Sequence, residues 1–367
     1  MSKPLTILYD SQMFNLQKYG GITRYFCNLV IGINNRPDTR ARLPLVLSTN
    51  YYVRNFPQLL NNRIGRFLLK TSKKRNEANL LFTRFQIRKG NHDIVHATYY
   101  DPYFLNDLKK PLVITVHDMI HENYPHMYQQ AEDLIGKKRE MMEKSSLIIA
   151  ISEYTRLEIL KYYPQYEQKV RVIYHGLPKT QLTPSSENLP SKFIFYIGDR
   201  TARYKNFENM SRAIAPILNQ QEDLHLICAG GGEFNHDENQ LFDELGINAQ
   251  TFQINASDSL VKQLYMQALV FIYPSLEEGF GFPMLEAFKN GCSIACSDKS
   301  CLPEVGGNAA AYFDPESATS IQETVSELLD NPDLRNKYIN NGYEQLKKFT
   351  FDKCLNETIA CYKSLIG

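Results

Sequence analysis

Short apolar runs rich in β-branched and aromatic residues recur along the chain, each followed by a polar or glycine-bearing turn and then by apolar residues at helical spacing. Runs of this length and composition suit buried strands, and their alternation with helices predicts parallel sheets covered by helices. A first set reads 4–10 (PLTILYD), 43–49 (LPLVLST), 93–98 (DIVHAT), 111–117 (PLVITVH), 146–152 (SLIIAIS) and 169–175 (KVRVIYH). A second reads 192–198 (KFIFYIG), 223–230 (DLHLICAG), 251–255 (TFQIN), 269–275 (LVFIYPS) and 292–297 (CSIACS). Between the sets, LPKTQLTPSSENLPS is polar, carries prolines and has no periodicity, as a linker would. The expected organisation is an N-terminal domain at 1–178, a linker at 179–191, a C-terminal domain at 192–345 and a terminal helical segment at 346–367. From its spacing alone, that last segment suits a helix closing the second domain as well as one packing back on the first. The fold class is α/β: two doubly wound, Rossmann-like domains facing across a cleft, with loops at the carboxyl ends of their strands lining it.

One segment carries more chemistry than the rest. Residues 270–291 read VFIYPSLEEGFGFPMLEAFKNG. A strand is broken by Gly279 and Gly281, Pro283 stands where a helix accepts it, and Gly291 is placed to end that helix. Glu278 lies in the loop and Glu286 one turn into the helix. Free backbone N–H groups at such a start favour an anion, whereas two carboxylates beside them accept hydrogen bonds from hydroxyls. A ligand with a diphosphate and free hydroxyls satisfies both, which describes a nucleotide sugar. The plain alternative is an α/β crossover with two solvated glutamates.

The string EGFGFPMLE, with seven residues between Glu278 and Glu286, resembles the signature of the retaining glycosyltransferase family 4, whose members have the two-domain GT-B fold. The resemblance implies that Glu286 holds the ribose hydroxyls of the donor, that Glu278 reaches hydroxyls of the transferred sugar, and that Gly279, Phe280, Gly281 and Phe282 border the donor. It also implies that the C-terminal helix returns to the first domain.

After strand 192–198 comes DRTARYKNFENM, a helix start expected to be capped by Asn206, with Lys205 just before it and Arg203 and Arg200 behind. Cations fixed there would meet the negative charge that grows on a departing diphosphate. The family commonly has adjacent RKN at this turn. RYKN is similar, so Lys205 carries over, while Arg203 and Arg200 compete for the arginine's role and Arg203 is favoured.

GGITRY after the first strand, with Gly20 and Gly21 at a helix start, looks like the glycine loop of bacterial mannosyltransferases of the family, which approaches the donor phosphates and the acceptor. His117, at the end of strand 111–117, heads an HD pair similar to one whose histidine reaches the transferred sugar. Asp118 and His96 are secondary candidates, and Ser152, Gly176 and Glu304 complete a series of family landmarks along nearly the whole chain.

Composition narrows the picture only a little. The 367 residues carry net charge +1, with 22% charged and 43% hydrophobic, as in an ordinary globular protein. MSKPLTILYD does not read as a secretory signal, and no run approaches 18 apolar residues. The seven scattered cysteines have no zinc-site spacing and read as buried thiols of a reducing cytoplasm. No Asp-x-Asp follows a strand, and Lys205, an arginine and a helix end already face the phosphates, so no metal and no cofactor beyond a GDP- or UDP-sugar donor is expected.

Residues 54–89 hold ten Lys or Arg against Glu77 alone, interleaved with phenylalanines and leucines. Against a total of +1, this surplus of nine leaves a deficit of eight elsewhere. Such a stretch suits an anionic membrane surface; nucleic acid is the rival partner, without any accompanying motif, and is not expected.

The expected function is transfer of a sugar, mannose favoured, from a nucleotide donor to a hydroxyl of a lipid-linked saccharide in surface polysaccharide (lipopolysaccharide) synthesis. It would take place in the cytoplasm, with the enzyme peripheral on the inner face of the cell membrane. The rivals are a glycoside hydrolase with Glu278 and Glu286 as acid and base and a non-catalytic nucleotide-sugar-binding subunit. An epimerase fits poorly with the EGFGFPMLE and RYKN loops.

Overall fold

A computed structural model of the chain describes residues 3–178 and 183–366. They form two compact units. The first runs to His175 and takes in the segment from Asp352; the second is Gly176–Phe351. Of the linker expected at 179–191, residues 179–182 lie outside the described residues.

The first unit holds a six-stranded, all-parallel sheet of order β2-β1-β3-β4-β5-β6. Its strands are β1 (Leu5–Tyr9), β2 (Thr39–Arg42), β3 (Ile94–Ala97), β4 (Leu112–Val116), β5 (Leu147–Ala150) and β6 (Val170–Val172). Every residue of β3, β4 and β5 is buried, which is why they read as apolar runs without alternation. The second unit repeats the plan with β7 (Lys192–Ile197), β8 (Leu224–Ala229), β9 (Thr251–Ile254), β10 (Val270–Tyr273), β11 (Ile294–Ser297) and β12 (Ala311–Phe313), in the order β12-β11-β10-β7-β8-β9. A short edge strand of three residues, β12, gave no sequence signal.

The strand expected at 43–49 is corrected to β2 at Thr39–Arg42. Leu45, Val46 and Leu47 are buried as their sequence demands, but their backbone is served by other groups. The Val46 and Leu47 N–H groups donate to Asn79 Oδ1 at 2.7 and 3.2 Å, the Leu47 carbonyl accepts from Asn79 Nδ2 at 2.9 Å, and the Leu45 and Val46 carbonyls accept from the N–H groups of Leu59 and Leu60. Burial thus dictated the apolar run without dictating a ladder. The true edge strand, TRAR, shows the alternation of a sheet margin, with Thr39 and Ala41 buried.

The Phe351–Ser364 helix completes the core of the first unit. The Tyr362 hydroxyl meets the Tyr9 hydroxyl at 2.8 Å and His96 Nδ1 at 2.5 Å, while His96 Nε2 meets Thr115 Oγ1 at 2.9 Å. Both ring nitrogens of His96 are thereby occupied inside the core, and the expectation that it borders an acceptor is replaced by a structural role. All seven cysteines are free, and only Cys361 is not fully buried. Burial pushes these thiols above their usual range, which leaves them unreactive.

Candidate active site

In the second sheet the chain steps from β7 outward to β8 and β9, then returns to the other side of β7 with β10. The loops after β7 and β10 therefore flank the point where strand order reverses, the place where open α/β sheets bind ligands. They are also tied together: the Leu276 N–H donates to the Tyr204 carbonyl at 2.8 Å.

Lys205 ends a single 3-10 turn, Arg203–Lys205, ahead of the Phe207–Gln220 helix. Asn206 occupies the N-cap position, but the expected side-chain cap is absent. Its backbone is left-handed (φ 57°), and its amide Nδ2 donates instead to the Pro315 carbonyl at 2.7 Å. The Phe282–Lys289 helix likewise starts without a side-chain cap, at Gly281. Gly281 has φ 93°, and a Cβ there would stand 3.0 Å from Leu302 Cδ2, so both backbone and space require glycine. The Phe207–Gln220 helix thus presents uncapped N–H groups beside the switch point, a setting suited to an anion. At the Phe282 start, by contrast, Pro283 has no N–H and the Met284 N–H donates to the Gly281 carbonyl at 3.0 Å.

Lys205 Nζ is ion-paired with Glu278 Oε1, and the two side chains retain 16% and 12% exposure. Ser275 Oγ donates to the same oxygen at 2.8 Å, and the Glu278 N–H donates to Ser300 Oγ at 3.1 Å. Burial, and then the charge of Glu278, raise the Tyr273 hydroxyl well above its ordinary range, so it stays protonated beside the carboxylate. The Lys205 ammonium lies 5.0 Å from the Tyr204 ring centroid and 5.9 Å from that of Tyr273. Glu286 is half-buried on the helix that Gly281 opens. Gly279 and Phe280 are buried, and Phe282 is half-buried. The Phe280 ring is spent on packing, edge-on to Phe282 at 5.7 Å and to Phe349 at 5.6 Å, so a ligand could meet only its backbone.

The two competing arginines are placed very differently. Arg200 is buried, its side chain 1% exposed. Its Nε donates to Glu238 Oε1 at 2.6 Å, its Nη1 to the Gly230 carbonyl, and its Nη2 to the carbonyls of Gly232 (2.8 Å) and Glu233 (3.3 Å). That guanidinium clamps the 230–233 loop and, on a side chain closed to solvent, spends four of its five N–H donors on that loop and Glu238, which sets it apart from the exposed Arg203 as a partner for a diphosphate. Arg203 is exposed, and no hydrogen bond or ion pair holds its guanidinium among the described residues.

In the first unit, Gly20 is the uncapped N-cap of the Gly21–Asn34 helix. A Cβ on Gly20 would fall 2.1 Å from Gln17 Oε1, itself a buried acceptor without a hydrogen-bond partner among the described residues. His117 follows β4 directly, with its N–H donating to the Tyr100 hydroxyl at 3.0 Å. Its ring is 6.0 Å from those of Tyr25, Phe26 and His175. Burial lowers its pKa to about 4 against the opposing pull of Asp118, so the imidazole is neutral at pH 7. Its Nε2 is buried and has no hydrogen-bond partner among the described residues.

Behind the His117–Asp118 turn stands a buried ion pair. Lys138 Nζ donates to Glu122 Oε2 at 2.8 Å and to the Asp118 carbonyl at 3.0 Å, and lies 5.2 Å from the Tyr100 ring centroid. Asp10, at the carboxyl end of β1, is fully buried; its Oδ1 accepts from the Thr98 N–H and hydroxyl, both at 2.6 Å, and burial pushes its pKa up to about 6.

Residues 179–345 match the family described as glycosyl transferases group 1, and residues 19–181 match that described as Glycosyltransferase Family 4. Together the two matches span almost the whole chain. It belongs to glycosyltransferase family 4. As a member it is a retaining glycosyltransferase with the GT-B fold. Its relatives include the O-antigen chain mannosyltransferase B of Escherichia coli, 26% identical over 73% of this chain and 74% of that protein. Another is the O-antigen chain mannosyltransferase RfbU of Salmonella typhimurium, 24% identical over 74% of each. Sucrose-phosphate synthase of Thermosynechococcus elongatus shares the fold with a TM-score of 0.75 at 16% identity, covering 99% of both chains. Anabaena Alr3699/HepE, solved with UDP and glucose, also superposes with a TM-score of 0.75, at 14% identity, covering 99% of this chain and 100% of that one.

In this family 4 enzyme several groups at the site escaped the sequence reading. Ser275, Tyr273 and Ser300 surround Glu278, yet each reads as an ordinary strand or loop residue. Lys138 had a usable signal. With Leu134, Met141 and Met142 it falls on one helical stripe, so a lysine there is buried and needs a partner.

Proposed function

We propose that this glycosyltransferase moves mannose from a nucleoside-diphosphate donor, GDP-mannose favoured over UDP sugars, to a hydroxyl of a lipid-linked saccharide in surface polysaccharide synthesis. The observation that carries the donor half is the Lys205–Glu278 pair beside the uncapped start of the Phe207–Gln220 helix at the switch point of the second sheet. Lys205, Arg203 and the free N–H groups suit a diphosphate whose charge grows as the glycosidic bond breaks. Glu286 suits the ribose hydroxyls and Glu278 those of the transferred sugar. Glu278 also holds Lys205 in place. In the first unit, the uncapped start at Gly20–Gly21 suits a phosphate, and the neutral His117 suits a sugar hydroxyl. The names of the two O-antigen relatives support mannose and a surface saccharide.

A thermal-shift series with GDP, UDP, ADP and their sugars tests the donor. A ligand at a hundredfold excess over its Kd stabilises by about 2.7 kcal/mol, so GDP and GDP-mannose should raise the midpoint most. A larger shift with UDP would move the donor to a UDP sugar, and a need for added Mg²⁺ or Mn²⁺ after EDTA treatment would contradict the metal-free diphosphate site.

A further inference from the structure

The basic stretch of the first unit folds into two helices, Arg63–Leu68 and Ser72–Lys89, several of whose apolar residues face away from the core. In the shorter helix Ile64, Phe67 and Leu68 share one face at the i, i+3, i+4 spacing, and they are 71%, 78% and 56% exposed. Only Gly65 is buried there. The longer helix buries Asn79 and Thr83 along with Ile87. These polar groups are satisfied, Asn79 by the backbone of 46–47 and Thr83 Oγ1 by Ser11 Oγ at 3.2 Å. Its outward face carries Leu81 and Phe85, 66% and 57% exposed. Leu59, also exposed, leads into an apolar cavity of about 820 Å³ that Pro44, Phe56 and Phe82 help to line. A helix that hides hydrogen-bonded polar groups and presents leucine and phenylalanine outward is shaped for a surface other than water.

The charges around these side chains say which surface. Arg84 and Arg88 share Asp107, which cancels one of their two charges, and Arg75 is bound to the Leu69 and Lys70 carbonyls. Arg63, Arg66, Lys70, Lys73 and Lys74 are exposed, and none meets a carboxylate among the described residues. Five unneutralised cations framing exposed aromatic and aliphatic side chains match anionic headgroups above an acyl layer. A nucleic acid would use the cations and leave Ile64, Phe67 and Leu68 without a role.

We infer that the 63–89 helices dock the first unit on an anionic lipid surface, with Ile64, Phe67 and Leu68 inserted at the headgroup boundary and Arg63, Arg66, Lys70, Lys73 and Lys74 on the headgroups. This adds a location to the lipid-linked acceptor proposed above. Binding is measured without donor or acceptor, so failure of either idea leaves the other standing.

The test is co-sedimentation of the full chain with vesicles of phosphatidylcholine alone or with 30% phosphatidylglycerol, at low and high salt. The wild type should bind only the anionic vesicles and should be released by salt. Lys70→Glu, Lys73→Glu and Lys74→Glu together should weaken binding at least a hundredfold, at about fivefold or more per charge. Ile64→Ser with Phe67→Ser should weaken it at unchanged charge. Both variants alter exposed side chains, and unchanged unfolding midpoints and nucleotide-induced shifts verify that they fold. No binding to anionic vesicles at low salt overturns the proposal. So does an oligonucleotide that binds more tightly than the vesicles and ignores the serine substitutions, and so does a self-associated wild type that the serine substitutions convert to monomer without changing vesicle binding.

Discussion

Lys205 and Glu278 are paired before any donor arrives, and that has a measurable consequence. Removing one member leaves the other's charge at a position only 12–16% exposed. A fully buried pair broken on one side costs about 3–5 kcal/mol, and an exposed pair about 0–1; this pair lies between, at about 2 kcal/mol for each single change. Lys205→Met leaves Glu278 with Ser275 as donor, and Glu278→Gln leaves Lys205 near the Tyr273 ring. The double variant leaves no stranded charge, so its loss should fall short of the sum by about 1–2 kcal/mol. Urea unfolding of the four proteins without nucleotide measures this coupling. Turnover should divide differently: Lys205→Met should lose on the order of a hundredfold in kcat, and the double variant should lose more, because the Glu278 contact with the transferred sugar goes as well. Stability losses that add to within about 0.5 kcal/mol would refute the pair as the element that holds Lys205 in place.

Glu286→Ala should weaken binding of free nucleotide by roughly 10- to 100-fold, the loss of one charge-assisted hydrogen bond, while Glu278→Ala leaves that affinity nearly intact; calorimetric titration that finds both variants equal to wild type contradicts this division. Lys138→Met should destabilise by about 3–5 kcal/mol at pH 7, because Glu122 is left charged and buried. Burial already raises Glu122 above its ordinary value while Lys138 pulls it down. A raised carboxyl stabilises the fold below its unfolded pKa and loses that contribution as pH rises, so the deficit, read from urea midpoints, should shrink toward pH 5. His96, His117 and His175 are all held below the ordinary value by burial. Their contribution is present above about pH 6.5 and is lost as pH falls toward 4. These three proton uptakes on unfolding outnumber the two opposing releases from the raised Asp10 and Glu122, so stability falls as pH drops below about 6. All five groups lie in the first unit, so hydrogen exchange at pH 5 should show it losing protection before the second; the reverse order would refute the linkage.

The sheets were legible because their central strands are buried on both faces, so burial wrote itself into unbroken apolar runs such as LVITV and VFIY. Where burial and laddering part company, at 45–47, the same signal misled, since an asparagine 33 residues away supplies the hydrogen bonds. The turn at Gly281 was legible from its glycines and Pro283. The conformation of Asn206 was not, because the carbonyl that captures its amide belongs to Pro315, 109 positions on. Sequence order placed Lys205, Arg203 and Arg200 in one loop but could not separate an exposed guanidinium from one buried against Glu238. Nor could it reveal that Lys205 meets Glu278, 73 residues away. Such pairings are properties of the folded sheet, where the loops after β7 and β10 become neighbours.

The return of the Phe351–Ser364 helix to the first unit reverses the usual relation between synthesis and folding. A ribosome releases the first 175 residues long before it makes Tyr362, the side chain that joins Tyr9 and His96 in the core of that unit. The second unit is one continuous stretch of chain and can close as soon as it emerges. The half made first is therefore the half finished last, and a nascent chain stalled anywhere before its final helix carries an open core in its oldest part.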